Sequence, residues 1–340
     1  MADRYWVGGT ASWDGTAGLK WSTMSGGIGG ASVPTTADDV FFTVLSIGTC
    51  TIVTGNTGAK SINCTGFTGT IAGTGSIIVA GSITLVSGMT YTHTGSVNIQ
   101  GTGTITTAGK AFSTLTINNV ASTVTLGDAL NMSTRTLTVQ TGTFNTANYS
   151  ITAGAFNANN SNVRTVTFGS STITLANNAG LNFATSTNLT FNANTSQINL
   201  NAANLSLQGG GQTFYNVSCT STGAGTRTIT GANTFNQISS VSTVAHTITF
   251  NADQTIGTWL ITGSVGNVVT VRSDIAGTRR TINLTNVTSG IDYLSVKDIG
   301  ITNANRFYVG TNSTDGGNNL NVYFTAPPSG GQVSNFFFLF

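Results

Sequence analysis

Apolar residues recur two apart along most of the chain, with Ser, Thr or Asn between them. The pairs run Ile83/Leu85, Val97/Ile99, Leu115/Ile117, Val124/Leu126 and Leu137/Val139. They continue through Val166/Phe168, Ile173/Leu175, Leu189/Phe191, Ile198/Leu200 and Leu205/Leu207 to Ile248/Phe250, Val269/Val271 and Ile282/Leu284. Alternation of this kind buries one face of a β-strand and leaves the other in water. From Val97 to Leu294 there are 18 strand steps over 197 residues, about 11 residues each.

The pattern repeats on a longer scale between 213 and 262. Thr213-Phe-Tyr-Asn-Val-Ser, Thr234-Phe-Asn-Gln-Ile-Ser and Thr255-Ile-Gly-Thr-Trp-Leu start 21 residues apart. A second series lies between them: Arg227-Thr-Ile-Thr, His246-Thr-Ile-Thr and Val268-Val-Thr-Val, spaced 19 and 22 residues. Two interleaved series on one spacing mark a repeat architecture. A half-apolar strand cannot bury its face alone, and stacking copies buries it. The expected fold is all-β, a parallel β-helix with two strands per coil and a shorter third side. It places Val217, Ile238 and Leu260 on successive inner rungs, and His246, in the slot of Arg227, on the outer surface. Strands every 8–12 residues also fit antiparallel β-sandwich domains, which is the alternative.

Four segments follow. Residues 1–45 form an N-terminal capping or attachment module holding three of the four tryptophans, Trp6, Trp13 and Trp21. Large aromatics suit the covering of an open solenoid end, and they equally suit docking onto another protein. Residues 46–290 are the solenoid body. Residues 291–325 form a C-terminal β cap in which 292–298 reads as the last strand. Residues 326–340 are a Pro-Gly linker followed by an aromatic tail, Phe336, Phe337, Phe338, Leu339 and Phe340. An apolar run on a tether calls for a partner surface. The preferred expectation is a neighbouring subunit, with packing on its own body as the alternative.

Composition narrows the chemistry. The chain has 43 Gly but only 3 Pro, 6% charged residues and no Glu. With 39% apolar residues and so little charge it is not a disordered chain. A net charge of +2 selects neither nucleic acid nor an acidic membrane. No apolar run is long enough for a membrane-spanning helix. The first residues lack a secretory pattern, so folding in a cytoplasm is expected. Cys50, Cys64 and Cys219 suggest neither a disulfide framework nor a zinc site.

Glycan hydrolysis usually needs two carboxylates about 5–9.5 Å apart. No acid lies between Asp39 and Asp128 or between Asp128 and Asp253. The best pair is Asp253 with Asp274, which one coil of separation would stack. Turn aspartates are the favoured reading, and Arg272, Arg279 and Arg280 nearby read as surface residues. His93 and His246 have no acid or thiol near them in sequence. Asp315-Gly-Gly-Asn-Asn lacks a calcium-loop pattern. Ser25-Gly-Gly-Ile-Gly-Gly lacks the Lys-Ser/Thr ending of a phosphate loop. No cofactor is expected.

Two stretches carry a resemblance. One is Tyr5-Trp-Val-Gly-Gly-Thr with Trp13-Asp, Trp21-Ser and Val33-Pro through Asp38-Asp-Val-Phe-Phe. The other is Asp292-Tyr-Leu-Ser-Val-Lys-Asp with Gly310-Thr-Asn-Ser-Thr-Asp. They resemble the opening and closing segments of β-rich virion proteins of tailed bacteriophages. The resemblance covers about a quarter of the chain and its motifs are structural. It implies a tail fibre, tailspike or capsid-decorating protein located in the virion, commonly a homotrimer that contacts other virion proteins and in some cases a host surface glycan. Some such tailspikes cut polysaccharides. The sparse carboxylates speak against a depolymerase, and the lack of any Trp between Trp21 and Trp259 speaks against a glycan-binding adhesin, so a non-enzymatic structural protein is the expectation.

Overall fold

The computed structural model describes residues 2–53, 57–286, 288–302 and 306–328. They contain no α-helix and form a parallel β-solenoid of about 13 turns. At one strand spacing per turn the shaft is about 60 Å long. Among the named strands of the described residues, only Asp3–Trp6 with Trp21–Ser22 pairs antiparallel. The sandwich alternative is excluded.

The alternating apolar positions become vertical columns. On the first face Ile77, Val97, Leu115, Leu137, Phe156, Leu181, Leu207, Ile229 and Phe250 stand directly in register on successive turns. All are buried, whereas Leu189 and Phe191 on the second face are only half-buried. The strands Thr114–Leu126 and Thr136–Asn145 bend across the first and second faces and join them into one 21-stranded sheet. The bend needs glycine at 142, with φ 82°, where a Cβ would lie 2.2 Å from the carbonyl of Asn119.

The cross-section changes along the shaft. Up to Leu189–Asn192 most turns carry three faces. The second face then stops, and Thr213–Cys219, Thr234–Ser240 and Gln254–Leu260 stack as longer third-face strands. Thr213, Thr234 and Thr255 pair in register as expected. Val217 and Ile238 also pair, but the next inner position is Trp259, not Leu260, which is partly exposed. Twenty-one residues from Ile238 lands on Trp259, and Leu260 is one further, on the outward phase.

The interleaved series needs a second correction. Arg227 pairs with Ile248, and His246 pairs with Val269. The alignment drawn from the sequence is therefore out by two residues between Arg227 and His246, which leaves facing unchanged, and by one between His246 and Val268, so that Val269 is buried and Val268 turns outward. Arg227 and His246 do face the same way, but inward: both are buried.

The N-terminal module is continuous with the shaft. Asp3–Trp6 pairs parallel with Asp39–Phe41, and Ala11–Trp13 with Thr49–Ile52. Trp6, Trp13 and Trp21 are fully buried, with Trp21 edge-on to the other two at ring separations of 5.1 and 5.0 Å. Phe42 lies beneath them and meets Phe67 of the next turn at 5.1 Å. These rings plug the first turn. At the other end the chain continues past Leu294–Lys297, which is not the last strand. Thr314–Asp315 pairs with it, and Phe307 packs on Trp259 with ring centroids 5.4 Å apart.

Candidate functional site

Every aspartate of the chain accepts a hydrogen bond within this fold. Asp128 receives the backbone amides of Thr107 and Ala108, Asp298 that of Gly277, and Asp315 that of Gly317. Asp38 receives the amides of Ala2 and Thr35, and Asp39 the Lys60 ammonium and Ser61 hydroxyl. Asp14 binds Lys20 at 2.7 Å, and that bond together with Thr16 holds its carboxyl at about 2. Asp3 accepts from the Tyr5 hydroxyl, and Asp292 from Tyr293 and Asn312. Asp38, Asp39, Asp128, Asp292 and Asp298 tie one coil to the next, whereas Asp3, Asp14 and Asp315 brace their own loops.

The candidate pair Asp253 and Asp274 does not stack. Phe250 pairs with Ser273, so the turn there spans 23 residues and Asn251 sits under Asp274, donating to it at 3.1 Å. Arg280 binds the other oxygen of Asp274 at 2.7 Å. Burial raises the Asp274 pKa, but the Arg280 bond and charge outweigh it and leave it below the usual value. Asp253 instead accepts the amide of Thr281. A glycosidase acid needs a raised pKa to hold its proton, and every resolved shift among the aspartates is downward. Arg280 belongs to this ion pair, and Arg279 donates to Asn318. Neither faces a shared acid.

The histidines are core residues. His93 contacts the carbonyl of Gly75 at 2.7 Å and the Tyr91 hydroxyl at 3.2 Å. His246 bonds the carbonyl of Val244 through Nδ1, and its Nε2 has no protein partner. Burial lowers both pKa values. The three cysteines are free and buried, and burial raises their thiol pKa values, to about 12 for Cys64 and Cys219. Among the described residues no three His, Cys or Asp side chains gather as a metal site. Asp315 is occupied with Gly317 and Asn319.

Two surface features escaped the sequence reading. The first is a cleft of about 460 Å³ where the second face stops, with Phe191, Tyr215 and Asn236 among its lining. Gly257 holds its far wall close, since a Cβ there would lie 2.4 Å from the carbonyl of Asn236. The alternation at Leu189/Phe191 was visible, but the end of a face is a three-dimensional event. The second is an apolar surface on the N-terminal module. Leu19, Met24, Ile28, Val44, Leu45 and Ile47 are exposed, from 58% at Leu45 to 93% at Ile28. Their loops touch: Leu45 lies against Gly26, Leu19 against Gly29, and Ser25 bonds Thr43 at 2.8 Å. The tryptophans expected to interact lie beneath, inside the plug. Phe336–Phe340 lies outside the described residues.

No family model matches the chain, and no curated protein or solved structure matches it. The class defined by fold and surface is a capped parallel β-solenoid.

Proposed function

We propose that this chain is a non-enzymatic structural component of a tailed-phage particle, of the tail-fibre, spike or capsid-decorating kind. It builds a rigid shaft and assembles with copies of itself and with other virion proteins. The single observation that carries the non-enzymatic reading is the engagement of every aspartate as a hydrogen-bond acceptor, either within its own loop or between turns. The terminal motifs that resemble phage virion proteins support the particle assignment. The plugged N-terminal turn and the apolar surface above it support attachment through that end. The Phe336–Phe340 stretch supplies a second anchor, and a trimer is the stoichiometry the resemblance implies.

Quantitative mass spectrometry and antibody labelling of purified particles test the reading. The chain is expected at a fixed multiple of the capsid protein, with label at one defined site. A chain made during infection but absent from particles would overturn it.

A further inference from the structure

Two apolar elements lie toward opposite ends of this chain. One is the surface of Leu19, Met24, Ile28, Val44, Leu45 and Ile47 at the first turn. The other is Phe336–Phe340, in the 12 residues that follow Pro328. That 12-residue stretch carries no charged side chain. Each element is too apolar to be left in water without consequence. We propose that the N-terminal surface of one copy receives the Phe336–Phe340 stretch of a second copy, joining solenoids head to tail. The inference rests on the reading of the chain as a self-assembling shaft and names the contact between copies.

Reach decides between the same chain and another. The last described residues lie at the far end of the shaft, where Leu320 bridges Gly300 on the final turns. The N-terminal surface is about 60 Å away along about 13 turns. From Tyr323, the last residue held by strand pairing, the 13 residues to Phe336 span about 45 Å fully extended. A chain cannot lay its own Phe336–Phe340 stretch on its own Leu45, but a second copy placed end to end can. Such a contact joins two different surfaces, so it propagates as a row of copies unless a rotation closes it.

Glycines let the loops of this surface pack closely. Gly26, Gly27 and Gly29 lower the loop beside Leu45, Met24 and Leu19; a Cβ at Gly26 would meet Leu45 at 2.7 Å and one at Gly27 would meet Met24 at 2.5 Å. Lys20, beside Leu19 in the chain, is neutralised by Asp14 at 2.7 Å. A tail without charged side chains therefore adds no side-chain ion to the contact when it docks. The cleft at Phe191 and Tyr215 is the competing receptor, and it lies within reach of the same chain: Thr285 is about two turns, or 10 Å, from the rung of Leu320.

Cysteine cross-linking of the full chain separates the two. The native thiols are buried and do not compete. A Leu45→Cys copy truncated after Gly331 is mixed with a full-length Phe338→Cys copy of different mass. The expected product is a disulfide-linked heterodimer. Light scattering should show self-association of the unmodified chain, and Leu45→Asp or Ile28→Asp, both exposed, should raise the concentration needed by about tenfold or more. Circular dichroism checks that these variants stay folded. No heterodimer, or association unchanged in Leu45→Asp, overturns the head-to-tail contact while leaving self-assembly standing. An intrachain disulfide in Asn236→Cys/Phe338→Cys, with none to Leu45→Cys, also overturns it. A full-length chain that stays monomeric at all concentrations sinks this contact and self-assembly alike.

Discussion

Arg164 and Arg227 put two guanidinium groups inside a shaft that offers them carbonyls instead of carboxylates. Arg164 donates to the carbonyls of Ala158, Asn162, Thr185 and Thr187, pinning a loop of its own turn to the loop of the next. Arg227 holds only the loop of its own turn, through the carbonyls of Ser221, Gly223 and Gly225. Arg164→Met should cost about 3 kcal/mol, because it strips four carbonyls of their buried donor. Arg164→Lys should rescue little, since an ammonium cannot span that fork of carbonyls. Denaturant melts of the three proteins check both statements. Neither role was legible in the sequence. A polar residue at an alternating position reads as outward, and only the turn carbonyls above it make the inward position tolerable.

The histidines give a pH dependence with a definite sign. Burial holds His93 and His246 below their ordinary 6.5, and for His246 the Arg227 charge adds to the effect. On acidification the unfolded chain therefore takes up protons first. The stabilisation from neutral rings is whole above about pH 6.5 and is lost as pH falls through the folded values. Melting temperature should drop between pH 7.5 and 5. His246→Leu should shrink that drop, and an equal drop in the variant would show that the ring titrates freely.

At the scale of the element, strands were legible because each carries its own two-residue period and its own Ser/Thr/Asn exterior. Spacing fixed the rungs where turns hold a constant length, as at Thr213, Thr234 and Thr255. It failed where a turn lengthens. The 23 residues from Phe250 to Ser273 set Asn251, not Asp253, beneath Asp274 and dissolved the candidate carboxylate pair. The apolar surface at Leu19 and Leu45 was illegible for another reason: isolated apolar residues in glycine-rich loops have no period. The cap makes a further prediction. Trp21→Ala removes a ring packed on Trp6, Trp13 and Phe42 and should cost about 3–5 kcal/mol locally. In a solenoid that loss frays the near end first. Hydrogen exchange should accelerate in Asp39–Phe41 and Thr49–Ile52 while Ser96–Ile99 keeps its protection. Uniform acceleration would mean that the shaft opens as one unit.

At the scale of the molecule, stability is the sum of turns and of the contacts between adjacent turns, so whole turns should be removable. Deleting 213–233 takes out one complete turn. Ile238 then falls on Ile198 in place of Val217, and Phe250 falls on Leu207 in place of Ile229. Phe235 inherits the place of Phe214 against Phe191. Both remaining faces keep their columns, and Arg227 leaves together with the carbonyls it serves. The product should stay folded, with a shaft shorter by about 5 Å in small-angle scattering. Deleting 213–223 removes about half a turn and sends each later strand to the opposite face. There Phe191 loses one of its three aromatic neighbours, Phe214, and Arg227 its acceptors at Ser221 and Gly223. That protein should melt well below the whole-turn deletion. Equal melting of the two would mean that the faces are interchangeable and that the columns from Ile77 to Phe250 do not specify the register. A whole-turn deletion that unfolds would mean that stability resides in the shaft as one body, not in its neighbouring turns.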